Sequence, residues 1–142
     1  ILPEQVEEVS SYLEEELAPL LEACSVEWPR VLIGSSGSFD TLAQMCVDNY
    51  QTSRLEPEDT SYTFSMFEYM QIAERMFKSN FEERLNTPGM IPMRADNIVM
   101  ACLQINFVIK RCAIKMLQQC SYALKEGLFY TLEENTNTWQ KS

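Results

Sequence analysis

The stretch Val31-Leu32-Ile33-Gly34-Ser35-Ser36-Gly37-Ser38-Phe39-Asp40 places an apolar run directly before a turn rich in glycine and serine. Three branched apolar residues are typical of a buried strand, and an amphipathic segment follows the turn. A strand that leads through such a turn into a helix directs N–H groups and hydroxyls toward the positive helix end. The pattern predicts an oxyanion site, although most Gly/Ser turns only connect elements.

The composition predicts one globular domain. The chain has 142 residues, of which 46% are hydrophobic and 11% aromatic, enough for a real core. No apolar run reaches the length of a membrane span, and no signal peptide is visible. Because the sequence opens with Ile1-Leu2-Pro3 and no methionine, we interpret it as a piece of something longer. We expect neither a membrane nor a lipid surface as a partner.

Charge and cysteine usage exclude several classes of function. The net charge of −10, from 21 acidic and 11 basic residues, repels nucleic acid, so a polyanionic ligand would need a local site. The absence of histidine removes histidine triads, histidine zinc sites and histidine bases. Five cysteines without a Cys-x-x-Cys pair predict free buried thiols in a reducing compartment, so we expect a cytoplasmic protein.

Periodicity and turn signals predict alternating helices and strands in the first half of the chain. Apolar spacing predicts a helix from Pro3 to about Leu21 and a strand over Arg30–Ile33. A second helix begins after the glycine turn and reaches Tyr50, and a loop covers residues 51–60. Capping signals at Ser65 and at residues 79–82 predict a helix through residue 77 and a short one to about residue 85.

The second half is predicted as a helix near Ala95–Met116, a strand over Cys120–Leu124 and a terminal helix that starts near Gly127. Two strands joined by crossover helices form a parallel pair. A sheet of two parallel strands is incomplete, since such sheets are covered on both faces. The predicted fold class is therefore α/β, a helix-rich part of a larger lobe with a small parallel sheet.

Three segments in order resemble one family: residues 32–42, residues 89–101 with Arg94-Ala95-Asp96, and residues 121–128 with Lys125-Glu126-Gly127. Together they resemble the second lobe of the exopolyphosphatase and guanosine pentaphosphate phosphohydrolase family, over nearly the whole chain. The resemblance implies a partial ribonuclease H-like (actin-like) lobe. It places a C-terminal lobe over residues 1–134 and a polar tail over residues 135–142.

The resemblance also implies a phosphate site in the cleft between two lobes. The phosphate-binding residues it implies are Gly34, Ser35, Ser36, Gly37, Ser38 and Arg94. Alternatives stay open: a serine of the turn as a helix N-cap, and Arg94 as a surface charge or a partner of Asp96. Asp40 is predicted to be a first-turn carboxylate favoured by the helix dipole, and a poor base because a carboxylate beside an anion site weakens binding.

This sequence departs from the family pattern in two ways. Lys125 stands where many members carry arginine, which keeps the charge but loses the bidentate fork. The family's first phosphate loop, upstream catalytic glutamate and Asp-x-Gly-Gly-Gly-Ser hairpin do not occur in this sequence. We therefore expect no catalytic residue and no metal ligand here, a missing N-terminal lobe as partner, and Mg²⁺ in the intact enzyme.

The implied activity is removal of terminal phosphate from inorganic polyphosphate or guanosine pentaphosphate, with this piece inactive alone. Two other classes remain open at this point. One is an ATP-binding module of the actin-like fold group, which uses a comparable glycine turn. The other is a ligand-free helical interaction domain, in which exposed apolar faces favour self-association and a homodimer is possible.

Overall fold

The elements of the protein are seen in a computed structural model that describes residues 1–50 and 59–139, with side chains to residue 132. The helices and strands of these residues, in chain order, are α1 (Pro3–Glu16), α2 (Ala18–Glu27), β1 (Val31–Ser35), α3 (Gly37–Tyr50), β2 (Ser61–Thr63), α4 (Met66–Lys78), α5 (Phe81–Leu85), a 3₁₀ turn (Pro92–Arg94), α6 (Ile98–Arg111), β3 (Met116–Cys120) and α7 (Leu124–Trp139). The predicted helix-rich α/β class is confirmed.

The sheet has three strands in the order β1-β3-β2. Strands β1 and β3 are parallel, with Gly34 opposite Gln119, which confirms the predicted parallel pair. Strand β2 pairs antiparallel with β3, so the prediction of a purely parallel sheet is wrong and the sheet is mixed. The predicted position of the second strand is also wrong, because the strand covers Met116–Cys120 and ends where the prediction began.

The helices differ from prediction mainly at their ends. The predicted first helix is interrupted at Leu17, where α1 ends and α2 begins with a proline in its first turn. The predicted helix near Ala95–Met116 is shorter, since the 3₁₀ turn precedes α6 and Met116 belongs to β3. The predicted cap at Ser65 is confirmed, since Ser65 Oγ accepts from the Glu68 amide at 3.4 Å. The second cap lies one residue later than predicted, because Asn80 and not Ser79 caps α5, with Glu83 as its reciprocal partner. Helix α7 continues past residue 135, so the tail boundary stays a prediction.

One face of the sheet carries the core. Helices α3, α4 and α6 cover it with a cluster of buried side chains that includes Leu42, Ile72 and Leu117. The buried Tyr69 hydroxyl donates to Asn106 Oδ1 at 2.9 Å and joins α4 to α6. All five cysteines are free, and Cys46, Cys102 and Cys112 are buried among them, while Cys24 and Cys120 are partly exposed.

The opposite face of the sheet is open within the described residues. Val31, Ile33 and Met116 point to this face and are 38%, 60% and 45% exposed. Helix α7 is also poorly covered, with Leu124, Leu128 and Phe129 exposed. The open face of the sheet and α7 therefore have no cover in the part of the chain described. In addition, none of the described helices combines the length and apolarity needed to traverse a bilayer.

Candidate functional site

The turn between β1 and α3 is a single residue wide. Strand β1 ends at Ser35 and α3 begins at Gly37, so Ser36 alone joins them, with φ of 64°. Gly37 is also left-handed, with φ of 46°. The Phe39 amide donates to the Ser36 carbonyl at 3.1 Å and closes the turn. The amides of Gly37 and Ser38 start the helix, where no helical carbonyl can accept from them.

Gly34, the residue before Ser35, leaves room for the side chain of Phe39. It is buried, and a Cβ built on it would lie 2.1 Å from the ring of Phe39. That ring packs edge-on against Phe64, with 6.4 Å between centroids. Gly34 is therefore needed so that Phe39 can fold back over the strand, and its place is structural.

Arg94 lies over the other glycine of the turn. A Cβ built on Gly37 would be 2.8 Å from Arg94 Nη2, so the guanidinium rests on the Gly37 backbone. No ion pair joins Arg94 to a carboxylate in the part of the chain that the structure describes, so the alternative of a pair with Asp96 does not hold. Arg94 ends the 3₁₀ turn, and the next residue, Ala95, is fully buried in the core.

A cavity of about 350 Å³ opens at this point. Its lining residues are Ser35, Ser36, Gly37, Ser38, Phe39, Arg94, Ala101, Gln104 and Ile105. Of the predicted phosphate residues, all but Gly34 therefore meet at one cavity. Serine hydroxyls, free helix amides and a guanidinium are the donors that an oxyanion prefers. Gln104 was missed from sequence, because only the packing of α6 brings it to the loop.

A second cavity, of about 430 Å³, lies beside the same end of α3 and includes Asp40, Gln119 and Ser121 in its lining. Gln119 Nε2 donates to Asp40 Oδ1 at 2.9 Å and to Ser121 Oγ at 3.3 Å. Gln119 is 6% exposed, and both of these hydrogen bonds are partly buried. The predicted first-turn carboxylate thus lines this second cavity and not the first.

A wider groove of about 650 Å³ runs between α1 and α6, away from the loop. Its lining is mainly apolar and includes Val6, Leu103 and Phe107. Arg111 at its rim forms an ion pair with Glu14. Ser10, Asn106 and Lys110 also line the groove, so it has donors of its own. It has no helix N-terminus among its lining residues, whereas the cavity at the turn has one, and the smaller cavity is therefore the better candidate for an oxyanion.

Metal ligands are scarce in this arrangement. Over residues 1–50 and 59–132 there is no group of three or more cysteine, aspartate or glutamate side chains that could hold a metal ion. We therefore assign no step to a metal through the described residues. Lys125, at the corner before α7, has a side chain that is 76% exposed and that forms an ion pair with Glu126 at 3.3 Å.

Glu126 has a structural role at the same corner before α7. Its carboxylate accepts from the Ala123 amide at 2.8 Å, at the start of α7. This backbone hydrogen bond, with the neighbouring lysine, lowers the pKa of Glu126. Neither Lys125 nor Glu126 lines the cavity at the turn, so a role for this corner in ligand binding stays a prediction.

The fold has close counterparts among solved structures. The chain superposes on the exopolyphosphatase from Cytophaga hutchinsonii ATCC 33406 with a TM-score of 0.87 and 32% identity, over 95% of this chain. It thus has the architecture of a phosphatase lobe. The sequence model of the Ppx/GppA phosphatase family matches residues 1–136, and the chain belongs to that family.

More distant structures share the fold. The Aquifex aeolicus member of the Ppx/GppA family matches with a TM-score of 0.71 and 20% identity over 94% of this chain. The type II variant of the Aquifex protein matches with a TM-score of 0.69 and 19% identity. No match among curated proteins reaches significance. The chain spans only 43% of the Cytophaga protein and 42% of the Aquifex protein.

Proposed function

We propose that this chain is the C-terminal lobe of a phosphohydrolase that removes terminal phosphate from inorganic polyphosphate, with guanosine pentaphosphate as the alternative substrate. Family membership and the similar Cytophaga exopolyphosphatase support this class of reaction. The observation that carries the proposal is the Arg94 guanidinium, which rests on Gly37 at the rim of a donor-lined cavity.

The cavity suits the charge requirements of phosphoryl transfer. Negative charge spreads over the phosphoryl oxygens in the transition state, and catalysis depends on positioning and charge stabilisation. In our proposal the Gly37 and Ser38 amides and the serine hydroxyls bind these oxygens, and Arg94 neutralises them. Since the overall charge is −10, this local site must overcome a repulsive field.

In our proposal, the base that activates the attacking water lies outside this chain. The family resemblance implies an upstream glutamate for that step and Mg²⁺ on the same side of the cleft. We propose that a second lobe provides both and that this lobe alone does not hydrolyse substrate. The open face of β1 and β3 is where such a lobe would dock, because Ile33 and Met116 are exposed there.

Calorimetric titration with sodium tripolyphosphate tests the site in this chain. We expect Arg94→Gln to weaken binding about tenfold to a hundredfold, since a hydrogen bond to a charged group contributes about 1.5 to 3 kcal/mol. Lys110→Gln, an exposed cation of α6 far from the turn, serves as the matched control and should change binding less than twofold. Equal effects of the two variants would mean that only general charge attracts the ligand.

Competition separates the nucleotide-binding alternative. ATP that binds tightly and is not displaced by tripolyphosphate would favour an ATP-binding module. If neither ligand binds, while the chain stays folded and self-associates, the interaction-domain alternative gains support. Hydrolysis of polyphosphate by the full-length protein with Mg²⁺ tests the reaction itself, and absence of phosphate release across chain lengths and metals would contradict it.

A further inference from the structure

A negatively charged side chain lies close to the proposed oxyanion site. Asp40 lies three residues after Gly37, in the first turn of α3. The helix dipole draws a carboxylate toward the free amides of that turn. An unrestrained Asp40 would therefore compete with an incoming oxyanion for the same donors.

The structure shows what restrains this carboxylate. Gln119 lies in the central strand β3, opposite Gly34 of β1, and its side chain is buried. Its amide nitrogen donates to Asp40 Oδ1 at 2.9 Å. The same nitrogen donates to Ser121 Oγ at 3.3 Å, so two contacts fix the amide. Asp40 accordingly lines the second cavity and is absent from the lining of the first.

We propose that Gln119 is a positioning residue that holds the Asp40 carboxylate out of the oxyanion cavity, so that a phosphoryl group meets the Gly37 turn and Arg94 without a competing negative charge. This inference rests on the proposed function of the turn. A neutral amide suits the task because it restrains the carboxylate by donation and adds no charge to the neighbouring cavity.

A double-mutant cycle in the intact chain tests the coupling. Gln119→Met keeps the side-chain length and removes the donors, whereas Asp40→Asn removes the charge and keeps the oxygen that accepts from Gln119. Titration with sodium tripolyphosphate at low salt gives the dissociation constant of each variant. Gln118→Ala, the next residue along β3, is the matched control, and its dissociation constant should stay within twofold of the wild type.

We expect Gln119→Met to weaken binding about threefold to tenfold, the size of one unit charge about 6 Å away in a mostly aqueous site. Asp40→Asn alone should change affinity less than twofold, because the carboxylate is already held away. The double variant should regain wild-type affinity. A purely structural role of Gln119 would not be rescued by Asp40→Asn, which cannot rebuild the lost contact.

Other outcomes overturn the inference in distinguishable ways. If the wild-type chain does not bind tripolyphosphate, the proposed function itself fails. If the wild type binds but Asp40→Asn has the same effect in both backgrounds, the two residues are independent and the positioning role is wrong. Should Gln119→Met not fold, Gln119→Asn shortens the side chain beyond reach of Asp40, and the same cycle with that variant decides.

Discussion

The two faces of the sheet differ in how completely this chain covers them. On one face, α3, α4 and α6 bury Leu117 fully and hold the Gly34 turn in place. On the other face, Ile33 remains 60% exposed, and β1 pairs only with β3 among the described residues. The chain thus builds its candidate oxyanion site beside its own core, whereas the other face of the sheet has no cover among the described residues.

The largest expected effect concerns the covered face. Gly34→Ala places a methyl group where the Phe39 ring lies 2.1 Å away, so the ring and the turn must shift. We expect a loss of about 3 kcal/mol in the free energy of unfolding, typical of severe overpacking. Chemical denaturation measures it, and an unchanged midpoint would mean that Phe39 does not pack over this strand.

Alkaline pH probes the same core. Burial raises the pKa of Cys46 and of Cys102 from 9.0 to about 12, with smaller contributions from Glu68 on Cys46 and from Cys46 on Cys102. The unfolded chain releases these protons above pH 9, whereas the folded chain keeps them. Stability should therefore be full below pH 9 and fall as pH rises toward 12.

For two thiols the loss between pH 9 and pH 10 should reach about 2 kcal/mol, given 1.36 kcal/mol per pKa unit. Urea unfolding at each pH measures it. Cys102→Ala should remove about half of the part of the slope that these two thiols contribute. A stability that stays flat to pH 11 would contradict the burial of these side chains.

The smallest effect is expected on the open face. Ile33→Thr replaces a side chain that is mostly in water, so the free energy of unfolding should change by less than about 0.5 kcal/mol. In the full-length protein the same substitution should cost more than 1 kcal/mol, the order expected when a buried aliphatic side chain is lost. Equal effects in the two contexts would show that no second lobe covers this face.

The sequence predicted best what local chemistry determines. The branched apolar run and Gly34 identify β1 and the turn, and the capping residues locate α4 and α5. Strand β3 was misplaced because Gln118 and Gln119 look unlike a buried strand. Gln119 can be buried because its amide donates to Asp40 and Ser121, which the sequence alone does not show. Strand β2 has three residues, too few for a period to show.

In the candidate site, too, the residues of a local turn were predicted and those brought in by packing were not. The loop residues and Arg94 were predicted, and the structure brings all but Gly34 to one cavity. Gln104 and Gln119 were not predicted, since their places depend on how α6 and β3 pack against α3. Residues that form a local turn carry their own signal, whereas residues that complete a site across the fold do not.

Nuclear magnetic resonance of the isotopically labelled chain, titrated with sodium tripolyphosphate, tests the central claim most directly. The account predicts the largest amide shifts at Ser36, Gly37 and Ser38, together with a shift of the Arg94 side-chain resonance. Shifts concentrated instead on Lys110 and Lys115, or on the groove between α1 and α6, with the turn unperturbed, would contradict it.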